Sequence, residues 1–203
     1  ANGARRFRFN DNQLVPRDGA NQGEYGMNHD NIANRRAVVL VGHGAAGKTT
    51  LAEALLAAAG AITGRGSVER GNTVCDFDPL EKAFGHSLTS AVAGFTWNDR
   101  QIQLIDTPGY PDFAGQAIAA LAAADTALVV INAQAGIELS TERMMRRAGE
   151  RGLCRMIVIN KIEADNVDLP ALVADIRQRF GNACMLLDLP AHGRSDMVEL
   201  LGH

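Results

Sequence analysis

The chain has 203 residues, of which 46% are hydrophobic and 21% charged, with a formal net charge of −3. That length leaves room for one domain with a real core plus an appendage. The small negative charge gives no overall drive toward nucleic acid, so no direct DNA binding is expected. No apolar run reaches the roughly 18 residues of a membrane span, so no membrane partner is expected either.

Residues 1 to 35 are polar and rich in Asn, Gly and Arg. Neither helix nor strand periodicity lasts there, which predicts a flexible N-terminal extension. Arg5, Arg6 and Arg8 interleave with Phe7 and Phe9, a pattern that can touch RNA by charge and stacking. Asp11, Asp18 and Glu24 dilute it, and a solvated tail is the preferred reading, with Met27 a candidate natural start. The opening "ANGARRFRFN" lacks the apolar centre of a secretory signal.

From residue 36 the pattern changes. "AVVLVG" (37–42) reads as a strand buried on both faces. "KTTLAEALLAAAG" (48–60) reads as a helix ended by Gly60. Residues 61 to about 86 predict a long loop, and loops of that length in compact domains are usually functional or mobile. "SLTSAVAGFTW" and "QIQLID" flank "NDR", predicting a hairpin. Then follow a helix at "DFAGQAIAALAAA", a strand at "DTALVVINA", a helix at "ELSTERMMRRAGERG" and a strand at "CRMIVIN". A helix at "DLPALVADIRQRFG" and a last strand at "NACMLLDL" complete the order. The alternation predicts an α/β fold: a mostly parallel sheet with one antiparallel strand and helices on both faces. Sites in such sheets lie beyond the carboxyl ends of the strands.

The loop "GHGAAGKTT" sits between the first apolar strand and the first helix. Gly42, Gly47, Lys48 and Thr49 match G-x-x-x-x-G-K-[ST], the phosphate-binding pattern. Small residues at Gly44, Ala45 and Ala46, following His43, let the backbone curl so that N–H groups form an anion nest. The next helix, entered through Thr49 and Thr50, aims its positive end at the same point. Lys48 can reach the β- and γ-phosphates, and the Thr49 hydroxyl can ligate Mg²⁺. The chain contains only three lysines, Lys48, Lys82 and Lys161, so arginine supplies the general surface charge. A lysine that remains suits a role needing a compact ammonium against phosphate or base.

Two further motifs end strands. In "LIDTPGY", Asp106 stands where a second Mg²⁺-coordinating carboxylate belongs, usually acting through water, and Gly109 can bring its N–H to the γ-phosphate. In "VINKIE", Asn160 can bond purine N7 and the Lys161 stem can lie along the base. Glu163 can accept from the N1–H and exocyclic amine of guanine, a donor pair that adenine lacks. Each of these two motifs alone is also an ordinary strand-to-loop turn. In series they favour GTP and GDP over a P-loop ATPase or small-molecule kinase, which remains the rival class. Cys75, Cys154 and Cys184 lie far apart and lack metal or redox spacing, which fits reduced thiols in a cytoplasmic protein.

Together, "GHGAAGKTTLAEALL", "GAITGRGSVERGNTVCDFDPLEKAFGHSL", "LIDTPGYPDF" and "IVINKIE" resemble the GTP-binding domain of translational GTPases, most closely the elongation factor G branch. The resemblance runs from about residue 37 to the last residue. It implies GTP and Mg²⁺ binding, GTP hydrolysis triggered by the ribosome, and movement of the long loop. By the same resemblance, Ser87 takes the place of the switch threonine that ligates Mg²⁺, and "LLDLP" matches the entry to an inserted subdomain. Tyr110 stands where the family usually has the histidine that orients the attacking water, although some elongation-factor-G-like relatives also carry Tyr. Tyrosine has no imidazole, so it cannot supply that role in the same way.

Other departures accompany this one. Gly44 and His86 replace the two aliphatic residues that flank that position, so the resemblance predicts a missing apolar gate. His86 reads as an exposed loop histidine, with a direct action on water as the alternative. Ala45 replaces an acidic residue that can help hold a monovalent cation. Glu163 replaces Asp, moving the carboxylate by about 1.5 Å and predicting a looser grip on guanine. The family's next strand and its Ser-Ala base loop are not found after "LPAHGRSDMVELLGH", so the domain at 36–203 is expected to be incomplete at its C-terminal part. These departures keep a second reading open, a GTP-dependent switch that scarcely hydrolyses.

Overall fold

The computed structural model describes residues 34–191 and, beyond them, the backbone of residues 7–10, 13–16 and 196–199. β1 (Phe7–Asn10) and β2 (Gln13–Pro16) form an antiparallel pair of their own. The expected flexible arm and its RNA-contact side chains otherwise fall outside the described residues.

The main sheet has five strands: β3 (Arg35–Val41), β4 (Ala91–Trp97), β5 (Arg100–Asp106), β6 (Thr126–Asn132) and β7 (Cys154–Asn160). Their spatial order is β4-β5-β3-β6-β7. All neighbours are parallel except β4 and β5, which form the expected hairpin. Its turn residues Asn98 and Asp99 have φ of 45° and 59°, the left-handed pair that suits a two-residue hairpin.

The helices are α1 (Lys48–Ala58), α2 (Pro79–Phe84), α3 (Ala114–Leu121), α4 (Leu139–Glu150) and α5 (Leu169–Phe180). The alternating pleat of β3 sends Leu40 to one face and Val39 and Val41 to the other. Leu40 meets Leu104, Leu128 and Ala52 of α1. Val39 and Val41 meet Ala117 and Leu121 of α3 and Met144, Met145 and Ala148 of α4. α4 achieves this with buried Thr141, Met144, Met145 and Ala148, spaced for one helical face. α5 packs Leu172 and Ile176 against Ile131, Ile157 and Ile159 beside α4. Asp168 caps α5 by accepting from the Ala171 N–H at 3.0 Å. The α/β architecture with helices on both faces is the one expected.

Two expectations change. The segment 61–86 is not irregular throughout, because it contains α2, built on a capping box between Asp78 and Glu81 with proline in the first turn. The sequence "DPLE" carries that signature openly. Also, "NACMLLDL" does not extend the main sheet. A turn from the Cys184 N–H back to Gly181 O (3.2 Å) folds the chain against the end of α5. The strand that follows, β8 (Asp188–Ala191), pairs antiparallel with β9 (Asp196–Glu199) as a separate ribbon.

Candidate functional site

The carboxyl ends of β3, β5, β6 and β7 share one edge of the sheet, because their pairing is parallel and in register. Leu40 lies opposite Asp106, and Asn132 opposite Asn160. The three motif segments therefore emerge side by side.

The loop 42–47 is tightly curled, with Gly42 at φ 144°, Ala45 at 58° and Gly47 at 94°. A Cβ at Gly42 would overlap Val130 O, and one at Gly47 would overlap the Asn160 amide nitrogen. Only glycine permits both the backbone angle and the approach at these two positions. The Asn160 Nδ2 in turn donates to Ala46 O at 2.9 Å, so the end of β7 is fastened to the phosphate-type loop. α1 then begins with no side-chain cap and no acidic residue in its first turn. Its first N–H groups and its positive end therefore face the loop without a built-in anion.

Lys48 is buried and folds back along the loop, donating from Nζ to His43 O at 2.7 Å and to Gly42 O at 3.3 Å. Burial lowers its pKa to about 8, and the nearby Asp106 opposes that shift. Gly109 packs directly against it, for a Cβ there would overlap Lys48 Nζ and lie 2.5 Å from His43 O. Thr107 anchors the same segment by donating its hydroxyl to Leu40 O at 2.6 Å.

Asp106 is 1% exposed. Its Oδ2 accepts from the Thr49 hydroxyl at 2.6 Å, while its Oδ1 is buried without a hydrogen-bond partner. Burial raises its pKa to about 6, against the lowering effects of the Thr49 hydrogen bond and Lys48. Ser87, at the far end of the long loop, places its hydroxyl 3.3 Å from that of Thr49. Two hydroxyls and a carboxylate with an open acceptor thus stand together. These hard oxygen donors fit Mg²⁺, which takes few protein ligands and completes its shell with water and phosphate.

His43 is buried too, with Nδ1 3.3 Å from the Thr141 hydroxyl and Nε2 3.9 Å from Glu138. Burial holds its pKa below the ordinary value, while Glu138 pulls the other way. Tyr110 is 41% exposed and covers Gly44, where a Cβ would come within 3.2 Å of its ring. The His86 ring lies 4.6 Å from Tyr110 and 5.9 Å from Phe84. His86 is therefore half-buried in an aromatic group rather than an exposed loop histidine. The small Gly44 makes room for the large Tyr110, and aromatic rings stand where the resemblance predicted an absent gate. Lys161 adopts a left-handed φ of 59°, and Glu163 is exposed, as are Ala45 and Thr50.

Three buried carboxylates were not singled out from the sequence. Asp76 accepts from the hydroxyls of Ser87 (2.6 Å) and Thr73 (3.0 Å). Glu81 accepts from Leu88 N (2.9 Å), Thr89 N (3.0 Å) and Thr89 Oγ1 (3.2 Å). Glu53 of α1 accepts from Gly66 N (2.7 Å) and Val74 N (2.5 Å). A signal for Glu53 did exist, since it is the one acid in the Ala- and Leu-rich run of α1.

The family described as Elongation factor Tu GTP binding domain matches residues 33–199. The chain belongs to that family. An Elongation factor G-like protein of Mycobacterium tuberculosis is 40% identical over 156 residues, which is 77% of this chain and 22% of that protein. Elongation factor G 2 of Streptomyces coelicolor is 37% identical over 164 residues, 81% of this chain and 24% of the relative. A crystal structure of a Thermus thermophilus protein shares the fold at a TM-score of 0.74 and 42% identity, covering 77% of this chain and 24% of that one. The chain thus spans less than a quarter of the length of these relatives. As a member of the elongation factor Tu GTP-binding family it is a guanine-nucleotide-binding domain of the translation-factor type. No helix among the described residues is long and apolar enough to cross a membrane.

Proposed function

We propose that this domain binds GTP and GDP with Mg²⁺ and hydrolyses the γ-phosphate of GTP within a ribosome-associated, elongation factor G-like protein of the cytoplasm. The observation that carries the reading is the junction of the three motifs. Lys48 lies against Gly109, Thr49 bonds Asp106, and Asn160 bonds Ala46.

In this reading the loop amides at His43, Gly44, Ala45, Ala46 and Gly47 and the start of α1 at Thr49 and Thr50 hold the phosphates. Lys48 exchanges its loop carbonyls for the β- and γ-phosphate oxygens. Thr49, Ser87 and Asp106 would hold Mg²⁺, which when bound neutralises charge on those oxygens. The Gly109 N–H approaches the γ-phosphate. Asn160, Lys161 and Glu163 take the base, with discrimination for guanine weakened by the longer acid at Glu163. Water attacks in line, and catalysis rests on positioning and charge neutralisation more than on proton abstraction.

Tyr110 provides a phenol where an imidazole base is absent, so intrinsic turnover is slow. The aromatic packing of Tyr110 on Gly44 and His86 favours a second reading, a guanine-nucleotide switch with little hydrolysis. Single-turnover hydrolysis of GTP with and without ribosomes, with ATP as competitor, separates them. The first reading predicts slow hydrolysis accelerated by ribosomes and poorly inhibited by ATP. Bound GTP that survives ribosome addition unchanged contradicts it and selects the switch. ATP competing equally with GTP contradicts both.

A further inference from the structure

α1 carries two handles on one side, Thr49 and Glu53, four residues apart. Thr49 touches Ser87. Glu53, 1% exposed, holds the long loop at two separate points, Gly66 and Val74, one backbone N–H to each carboxylate oxygen. Between those points the loop closes on itself through Ser67 N to Asn72 Oδ1 (2.8 Å) and Gly71 N to Val68 O (3.0 Å). Gly66 lies so close to the returning segment that a Cβ would stand 2.5 Å from Asn72 O. Just beyond Val74, Cys75 is packed into the core under α1 and β5. Next to it Asp76 accepts the Ser87 hydroxyl at 2.6 Å. The path from Glu53 through Val74 and Asp76 to Ser87 and back to Thr49 is a closed circuit on one helix.

We propose that Glu53 is a positioning residue: it clamps the root of the long loop on α1 so that Asp76 stands ready to present Ser87 beside Thr49. The clamp divides the loop. Residues 66–76 stay with α1, and residues 77–90 are the part free to move when Ser87 leaves or returns. A carboxylate suits this place because each N–H meets its own oxygen, and an amide side chain would turn an NH₂ donor against one of the two N–H donors. The inference rests on the guanine-nucleotide reading for its consequence but not for its geometry. In that reading the long loop moves with the nucleotide and Ser87 stands at Mg²⁺ when a γ-phosphate is present, so losing the clamp is expected to weaken GTP binding more than GDP binding.

The test uses the whole 203-residue chain. Hydrogen exchange of the nucleotide-free wild type reports the Gly66 and Val74 amides directly. Both are expected to be protected, and exchange of either at the rate of an open chain overturns the clamp without any variant. In Glu53→Gln, at least one of these amides is expected to exchange about tenfold faster, while the Leu88 and Thr89 amides held by Glu81 stay protected. With Mg²⁺, the variant is expected to bind a non-hydrolysable GTP analogue about tenfold more weakly and GDP within about twofold of wild type. An equal loss for both nucleotides means a merely structural role and overturns the proposal. A wild type that binds neither nucleotide fails the guanine-nucleotide reading instead, and leaves the exchange result to judge the clamp.

Discussion

The phosphate-type loop and the long loop after α1 face the same edge of the sheet, yet they are held in different ways. Residues 42–49 are shaped by their own chain: glycine angles, a lysine folded on its own carbonyls, and a helix that starts where the loop stops. Residues 61–90 are held by three buried carboxylates that reach along the sequence, one on α1 and two within the segment itself. Glu53 reaches from α1, Asp76 ties the segment to Ser87, and Glu81 gathers the entry to β4. The first region is preorganised for a ligand. The second hangs on side-chain hydrogen bonds to three buried carboxylates, none of which belongs to the main sheet.

That contrast is broken most directly at Lys48. Lys48→Ala is expected to weaken GDP and GTP binding by on the order of 100-fold, the loss of a charge-assisted contact worth about 3 kcal/mol. Its melting temperature should hold or rise, because a buried ammonium is removed; calorimetric titration and thermal unfolding read the two effects. A fall in stability equal to the loss in binding would show that the lysine serves the fold.

Glu81→Ala tests the other region. It strips Leu88 N, Thr89 N and Thr89 Oγ1 of their acceptor, at a cost of about 2–4 kcal/mol. The loss is expected to be local. Hydrogen exchange should accelerate at Leu88 and Thr89 and remain unchanged in β3 and β6.

A third test concerns pH. Folding raises the Asp106 pKa from 3.8 to about 6, so between those values the folded chain binds more protons than the unfolded one. Its contribution to stability is complete below the unfolded value and is lost as pH rises through about 6. Urea unfolding of the nucleotide-free chain should therefore show wild type losing stability relative to Asp106→Asn as pH rises from about 4 to about 6.5. A parallel pair of curves would refute this electrostatic account.

Much of the fold was legible because its signals are local. Continuous apolar strands, Gly60 and Gly181 as helix stops and the Asn98–Asp99 turn each act within a few residues. The motif residues Gly42, Gly47, Lys48, Thr49, Asp106, Gly109 and Asn160 converge as their places at strand ends require. The helix α2 was legible as well, in "DPLE", but the expectation of a long loop obscured it. What could not be read was non-local. No spacing reveals that Glu53 meets Val74, that Asp76 faces Ser87, or that Tyr110 lies on Gly44. The last strand was misplaced for a different, local reason, since the turn from Cys184 N–H to Gly181 O overrides an apolar run that resembles a sheet strand.

The proposed phosphate site is the curled loop with Lys48, joined to the ends of β5 and β7. Its most direct measurement is a titration of the chain with Mg²⁺ and GDP, followed by backbone amide resonances. Saturable shifts are expected, concentrated at residues 42–50, at Gly109 and at Asn160 and Lys161. Shifts spread evenly over the surface, or none at saturating GDP, would contradict it.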